Sequence, residues 1–344
     1  MDFSLFYFGD DTPDTHGKYR LLLDGARFAD AAGFAAVWTP ERHFHTFGGL
    51  YPNPSVTSAA VAAVTQRISV RAGSVVAPLH HPFRIAEEWA VVDNISGGRA
   101  GVSFASGWHV NDFALRPESY GDRKLALTNA VATVRELWRG EAVEVADGAG
   151  NPFPARLHPL PVQRSLPMWL TSAGSTDSFS LAGSLGVGVL THLLGQKASA
   201  LAEKIRVYRN EWRRFEPDGH ERPHVALMMH AFLGESVDAV RETVREPFVS
   251  YLKNSFNLLS RSAPGGPDTS SLSASGVDFV VRRSFEHYFK KNGLFGTIAD
   301  AVRKVEMLAA IGVDEIACLI DFGVEPETVL RHLDYLAELK KLTQ

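Results

Sequence analysis

Residues 34–54 read FAAVWTPERHFHTFGGLYPNP, and their pattern decides the fold class. Phe34 to Trp38 is a short apolar run with the alternation of a strand, broken at Thr39-Pro40 into a loop. Glu41, Arg42, His43 and His45 follow within five positions and supply an acid, a fixed cation and imidazoles. Phe44, Phe47, Leu50 and Tyr51 are threaded between them. An exposed loop rarely carries that many large apolar residues, so this one is expected to fold back over something. A strand emptying into such a loop reads as a barrel strand running into a site.

Working outward, the strand-then-helix alternation repeats. Asp2 to Phe8 reads as a strand and Lys18 to Ala32 as an amphipathic helix stopped by Gly33. Downstream come helix Ala59 to Val64, strand Ile68 to Val76, helix Phe83 to Ile95, strand Gly101 to Ala105 and helix Lys124 to Trp138. Strand Met168 to Thr171, helix Asp177 to Leu185, strand Val187 to Leu190, helix Ala198 to Phe215 and strand Val225 to Phe232 continue the series. Helix Ile298 to Ile311, strand Glu315 to Ile320 and helix Pro326 to Leu339 close it. Eight such strands favour a (β/α)8 TIM barrel over an open sheet, and a barrel takes about 250 residues before insertions. No glycine-rich dinucleotide fingerprint follows any strand. The excess length falls in insertions at 39–53, 141–166 and 255–285 of a single domain spanning 1–344. The last contains NLLSRSAPGGPDTSSLSASG, without periodicity, and is expected to be an irregular active-site lid because it interrupts a strand-helix unit.

Composition narrows the class. A net charge of −4 gives no reason to expect nucleic acid as a partner. The one cysteine, Cys318, excludes an internal disulfide and reads as a buried thiol in an apolar run, so a reducing, cytoplasmic setting is expected. The N-terminus lacks the basic start of a signal peptide, and no apolar run approaches the roughly 20 residues of a membrane span.

In such a barrel chemistry collects at the C-terminal strand ends. Those ends carry Glu41, Arg42 and His43; His80 and His81; Gly107, Trp108 and His109; His192; His230; and Asp321. A metal hydrolase using His43, His45, His192 and Asp321 is one reading. Against it, the first strand offers Phe6-Tyr7-Phe8 and the fifth Ser172-Ala173-Gly174, where that arrangement wants ligands, so no metal is expected. His81, beside Pro82, reads as a helix start. Ser172 to Asp177 lies between strand and helix, where backbone N–H groups with Ser175 and Thr176 can hold a phosphate; an ordinary N-cap is an equal reading. Ser106-Gly107-Trp108-His109 brings a flat indole and an imidazole to the neighbouring strand end, suited to a planar ring with a phosphate tail.

These residues carry a resemblance. WTPERHFHTFGGLYPNPSV, GSVVAPLHHPFRIAEEWAVVDNISGGR, SFASGWHVNDF, KNGLFGT and GVDEIACLIDFG together resemble the bacterial luciferase-like flavin monooxygenases, in the branch associated with polyketide and nonribosomal-peptide biosynthesis. The second motif reads as structural: Pro82 opens a helix, Ile85, Ala86, Trp89 and Val92 face inward, and Gly97-Gly98 stops it. The resemblance implies a luciferase-like barrel that takes reduced FMN from a separate flavin reductase and reacts it with O2. The resulting C4a-hydroperoxide would oxygenate a small organic substrate, free or carrier-protein tethered. Gly73-Ser74 would lie against the flavin ring, where the family often has a non-proline cis peptide. Ser106, Gly107, Trp108 and His109, with Ala173, Gly174, Ser175 and Thr176, would hold ring edge, ribityl chain and phosphate, and His192 joins this cofactor-binding set. Glu41, Arg42 and His43 form the catalytic set. Two departures stand out. Arg42 occupies the place of the family's catalytic histidine, which moves the base role to His43 if it is kept, and Ala105-Ser106 replaces a Cys-Arg pair, so another group must compensate the lost cation. Arg42 can stabilise a peroxide anion or a deprotonated flavin, or else it is an ion-pair partner of Glu41 or Glu87. A deazaflavin (F420)-dependent oxidoreductase and a non-catalytic flavin-binding protein are the alternatives on the same barrel, and a homodimer is expected.

Overall fold

The computed structural model describes residues 1–11, 17–215, 222–262 and 274–344, without the side chains at 256–262, 274, 275 and 277. Its strands are β1 (Asp2–Phe6), β2 (Ala36–Thr39), β3 (Ser69–Val76), β4 (Ala100–Ala105), β5 (Val143–Ala146), β6 (Pro152–Ala155), β7 (Met168–Ser172), β8 (Gly188–His192), β9 (Val225–Leu233), β10 (Leu294–Gly296) and β11 (Glu315–Leu319). Its helices are α1 (Arg20–Ala32), α2 (Pro54–Val64), α3 (Pro82–Ser96), α4 (Arg123–Trp138), α5 (Thr176–Ser184), α6 (Ala198–Phe215), α7 (Val237–Ser262), α8 (Ala274–His287), α9 (Ile298–Ala310) and α10 (Pro326–Thr343). Parallel pairing runs β9-β11-β1-β2-β3-β4-β7-β8, and β8 pairs back to β9, which closes the expected (β/α)8 barrel.

Local chemistry explains the helix ends. In α1 the buried stripe Leu21, Leu22, Gly25, Ala26 and Ala29 has helical spacing, and Gly33 at φ 71° ends it in the left-handed conformation that favours glycine. Asn53 Oδ1 accepts from the Ser55 N–H at 2.8 Å to start α2, with Pro54 in the first turn. His81 Nδ1 accepts from the Phe83 N–H at 3.3 Å, so His81 is the helix start it reads as.

Three expectations change. The first strand stops at Phe6, because the Phe8 N–H turns away to Asp321 Oδ1. The 141–166 insertion contains an antiparallel hairpin of β5 and β6. The irregular lid expected at 255–285 is helical at both ends: α7 runs on to Ser262 and α8 begins at Ala274. Buried Val240, Val244, Phe248 and Tyr251 recur at helical spacing and carry α7 into the insertion. The Ser/Gly/Pro-rich centre, 263–273, lies outside the described residues.

A polar plug fills the N-terminal end of the barrel. Fully buried Glu315 accepts from Ser4 Oγ (2.5 Å), Trp38 Nε1 (2.8 Å) and Arg71 Nη1 (2.7 Å). The Arg71 guanidinium packs against both the Trp38 and Trp169 rings, at 4.9 and 4.8 Å. Burial alone would raise the Glu315 carboxyl, but Arg71, His224 and the hydrogen bonds win and hold it at about 2. With that end plugged, chemistry is left to the C-terminal strand ends.

Candidate active site at the C-terminal strand ends

The 39–53 loop folds back as its apolar residues require: Phe47 and Tyr51 are buried, with Phe47 packed on Phe8 at 5.1 Å and Tyr251 at 4.8 Å. This anchors the loop at one side and presents Glu41, Arg42 and His43 at the other. Phe44 is left on the rim, two-thirds exposed, at a positive φ of 55°.

Two polar clusters result. In the first, Glu41 Oε1 accepts from His43 Nε2 (2.8 Å) and His80 Nε2 (2.6 Å), while Oε2 accepts from the Val76 N–H (2.7 Å). Burial pushes the Glu41 carboxyl upward, but the bonds from His43 and His80, the His80 charge and Val76 outweigh it and hold the group below the usual range. His80 moves the other way: burial lowers it, and the bond and charge of Glu41, with Glu88, raise it above an ordinary imidazole. Glu41 and His80 are therefore an ion pair, and His43 hangs on the same carboxylate oxygen.

The second cluster is Arg42, Asp112, His109 and Trp108. Arg42 Nη1 donates to Asp112 Oδ2 at 2.6 Å, and the guanidinium stands 5.3 Å from the centre of the Trp108 ring. Arg42 thus pairs with neither Glu41 nor Glu87; Glu87 pairs with Arg84 on the surface of α3. His109 Nδ1 stands 3.3 Å from Asp112 Oδ1 but makes no hydrogen bond. Gly107 allows this turn: at φ 72°, a Cβ there would meet Val76 Cγ1 at 2.8 Å. Ser106 is half-buried, and Trp108 is 49% exposed.

The remaining residues of the expected set line the same end. The Gly73–Ser74 peptide is cis, and a Cβ on Gly73 would lie 2.6 Å from the Phe6 ring. β7 neighbours β4, which brings Ala173, Gly174, Ser175 and Thr176, before α5, next to Ser106–His109. Ser175 occupies the cap position of α5 without a side-chain cap bond, so its hydroxyl is not spent on the helix, and Ala173, Ser175 and Thr176 are exposed. His192 ends β8; burial holds it down at about 4, and its Nδ1 accepts from the Leu194 N–H. Fully buried His230 on β9, at about 3, is lowered by burial and by His192. Asp321, after β11, is pushed by burial up to about 8 while accepting from Phe8 N–H and Tyr51 Oη.

Residues outside the expected set also meet here. His80 was legible as a strand-end residue, but not its partner, and Asp112 was not singled out. Lys204 of α6 carried no signal. Its Nζ donates to Gln196 Oε1 at 2.8 Å, and the two lie 3.3 and 3.2 Å from the position of a Cβ on Gly174. A cation therefore stands over the start of α5, on the opposite side from the missing Ala105-Ser106 arginine. Among the described residues, no group of three or more His, Cys, Asp or Glu is placed to hold a metal ion, and no helix is long and apolar enough to cross a membrane.

The model of one family, luciferase-like monooxygenase, matches residues 1–339. The chain belongs to that family. It is accordingly a luciferase-like, flavin-dependent monooxygenase. Among relatives of this luciferase-like chain, the oxygenase component of the flavin-dependent trigonelline monooxygenase of Acinetobacter baylyi is 25% identical over 340 residues, 95% of this chain and 91% of that one. The 4-hydroxyprotoasukamycin monooxygenase of Streptomyces nodosus is 28% identical over 171 residues, 49% of this chain and 46% of that one. The crystal structure of monooxygenase RslO1 from Streptomyces bottropensis superposes with a TM-score of 0.78 at 24% identity, covering 98% of both chains, and shares the fold.

Proposed function

We propose that this luciferase-like chain is the oxygenating component of a two-component system, using reduced FMN from a separate reductase to oxygenate a polyketide or nonribosomal-peptide natural product, free or tethered to a carrier protein. The observation that carries this reading is one barrel end holding both an ionised, histidine-bonded Glu41 and an unspent helix start at Ser175. A flavin phosphate fits the α5 start: backbone N–H groups, the Ser175 and Thr176 hydroxyls and Lys204 converge there. Ser106 to His109 and Gly73-Ser74 would bound the ring, and His192, held neutral, would line its floor.

When bound, reduced FMN supplies the electrons that activate O2. This chain's own part is to exclude water, orient the substrate and move a proton. His43, with Nε2 on Glu41, has Nδ1 left to exchange a proton at the mouth, and Glu41 fixes its ring. A flavin store would need no such pair, which weighs against a non-catalytic role. Exposed Val56 on α2 and Val91 and Ile95 on α3 offer a face for the expected homodimer.

The test is to mix the protein anaerobically with reduced FMN, admit O2 and follow the flavin absorbance. Reoxidation slower than that of free reduced FMN supports the reading. Reoxidation at the free rate, together with hydride exchange on F420, replaces it with the deazaflavin alternative.

A further inference from the structure

Buried polar atoms without a hydrogen-bond partner among the described residues concentrate at one spot: Arg42 Nε and Nη2, His109 Nδ1 and Asp112 Oδ1. Arg42 is only 4% exposed, and its third nitrogen is held by Asp112. The two free nitrogens are the side-on edge of the guanidinium, whose parallel N–H bonds match the two oxygens of a carboxylate. A buried donor pair left unmet is costly, so an arginine with a purely structural role would have both filled. Beside it the exposed Trp108 indole offers a flat apolar wall.

We propose that Arg42 receives a carboxylate of the substrate, an organic acid whose planar or apolar body lies along Trp108, and that the His109–Asp112 pair takes up a proton as that acid binds. This rests on the active-site reading above and names its substrate class. The groups facing the pair are Arg42, His43 and His45 from the loop after β2. Burial first, and then Arg42, hold His109 below an ordinary imidazole; burial holds Asp112 above an ordinary carboxyl. An incoming carboxylate offsets the Arg42 charge, which after burial is the largest of the influences, His45 among them, that keep His109 unprotonated. His109 Nδ1, 3.3 Å from Asp112 Oδ1, is placed to close that gap as a charged hydrogen bond.

A flavin also presents two adjacent acceptors, so the experiment separates the two. Benzoate and its neutral analogue benzamide are titrated into flavin-free protein by calorimetry at pH 7.5, in two buffers of different ionisation heat. Benzoate should bind at least about tenfold more tightly than benzamide, with net proton uptake. Arg42→Lys, which cannot present the fork, should lose about tenfold or more in benzoate affinity while its FMN titration is unchanged. The comparison of the two probes on the unaltered protein stands even if the variant fails to fold. Equal binding of benzoate and benzamide, or no proton uptake, overturns the proposal. So does an Arg42→Lys protein weakened for FMN but not for benzoate, which gives the fork to the flavin. An unaltered protein that binds benzoate in this way but not FMN would sink the flavin reading and leave this one standing.

Discussion

Replacing Glu41 by Gln isolates the ion pair at the centre of the site. The carboxylate is fully buried and accepts three hydrogen bonds, two from imidazoles. An amide has one accepting oxygen, and its NH2 must face a donor. At least one bond is then lost and His80 is left charged without its counter-ion, at a cost of about 3 to 5 kcal/mol for a broken buried pair. The cost depends on pH with a definite sign. Glu41 is depressed, so its share of stability is present above the ordinary 4.5 and is lost as pH falls through its lowered value. His80 is raised, so its share is complete below the ordinary 6.5 and is lost as pH rises through its raised value. Between the ordinary values, 4.5 and 6.5, both shares are complete. Urea unfolding of the natural protein and Glu41→Gln at pH 5.5 and pH 9 should therefore show a large gap that narrows at the higher pH. Each unit by which Glu41 raises His80 narrows it by about 1.4 kcal/mol. A gap that is equal at the two pH values, or below about 1 kcal/mol at pH 5.5, would refute the ion pair.

Other perturbations read other parts of the molecule. Ser175→Ala with Thr176→Ala should weaken FMN binding by about 1 to 3 kcal/mol in a fluorescence titration, and Lys204→Met should weaken it while flattening its salt dependence; unchanged affinity moves the phosphate elsewhere. Gly107→Ala should destabilise by about 1 to 3 kcal/mol in thermal unfolding, because the new methyl at φ 72° meets Val76 and Phe113. Arg71→Met strands the buried Glu315 charge and should cost about 3 to 5 kcal/mol by urea denaturation at pH 7.

The architecture was legible in the order of residues because its signals are local. Strand alternation, the Gly33 and Gly97 stops and the run from Glu41 to His45 each depend on neighbours within one turn or one pleat, whereas the Asn53-Pro54 start of α2 lies five residues before the expected Ala59. Even the cis Gly73–Ser74 peptide sits where the resemblance places it. The α7 and α8 helices were missed altogether: Pro247 stands inside α7 where a proline reads as a breaker, and polar residues between its buried positions mask the helical period. What no local pattern could supply was who pairs with whom. Arg42 finds Asp112, Glu41 finds His80, and the start of α5 is overhung by Lys204. These partners sit on different strand ends or on a helix, and only closure of the barrel brings them within bonding distance. Burial, which sets whether each of these charges is held or driven out, likewise exists only once the chain has closed around them.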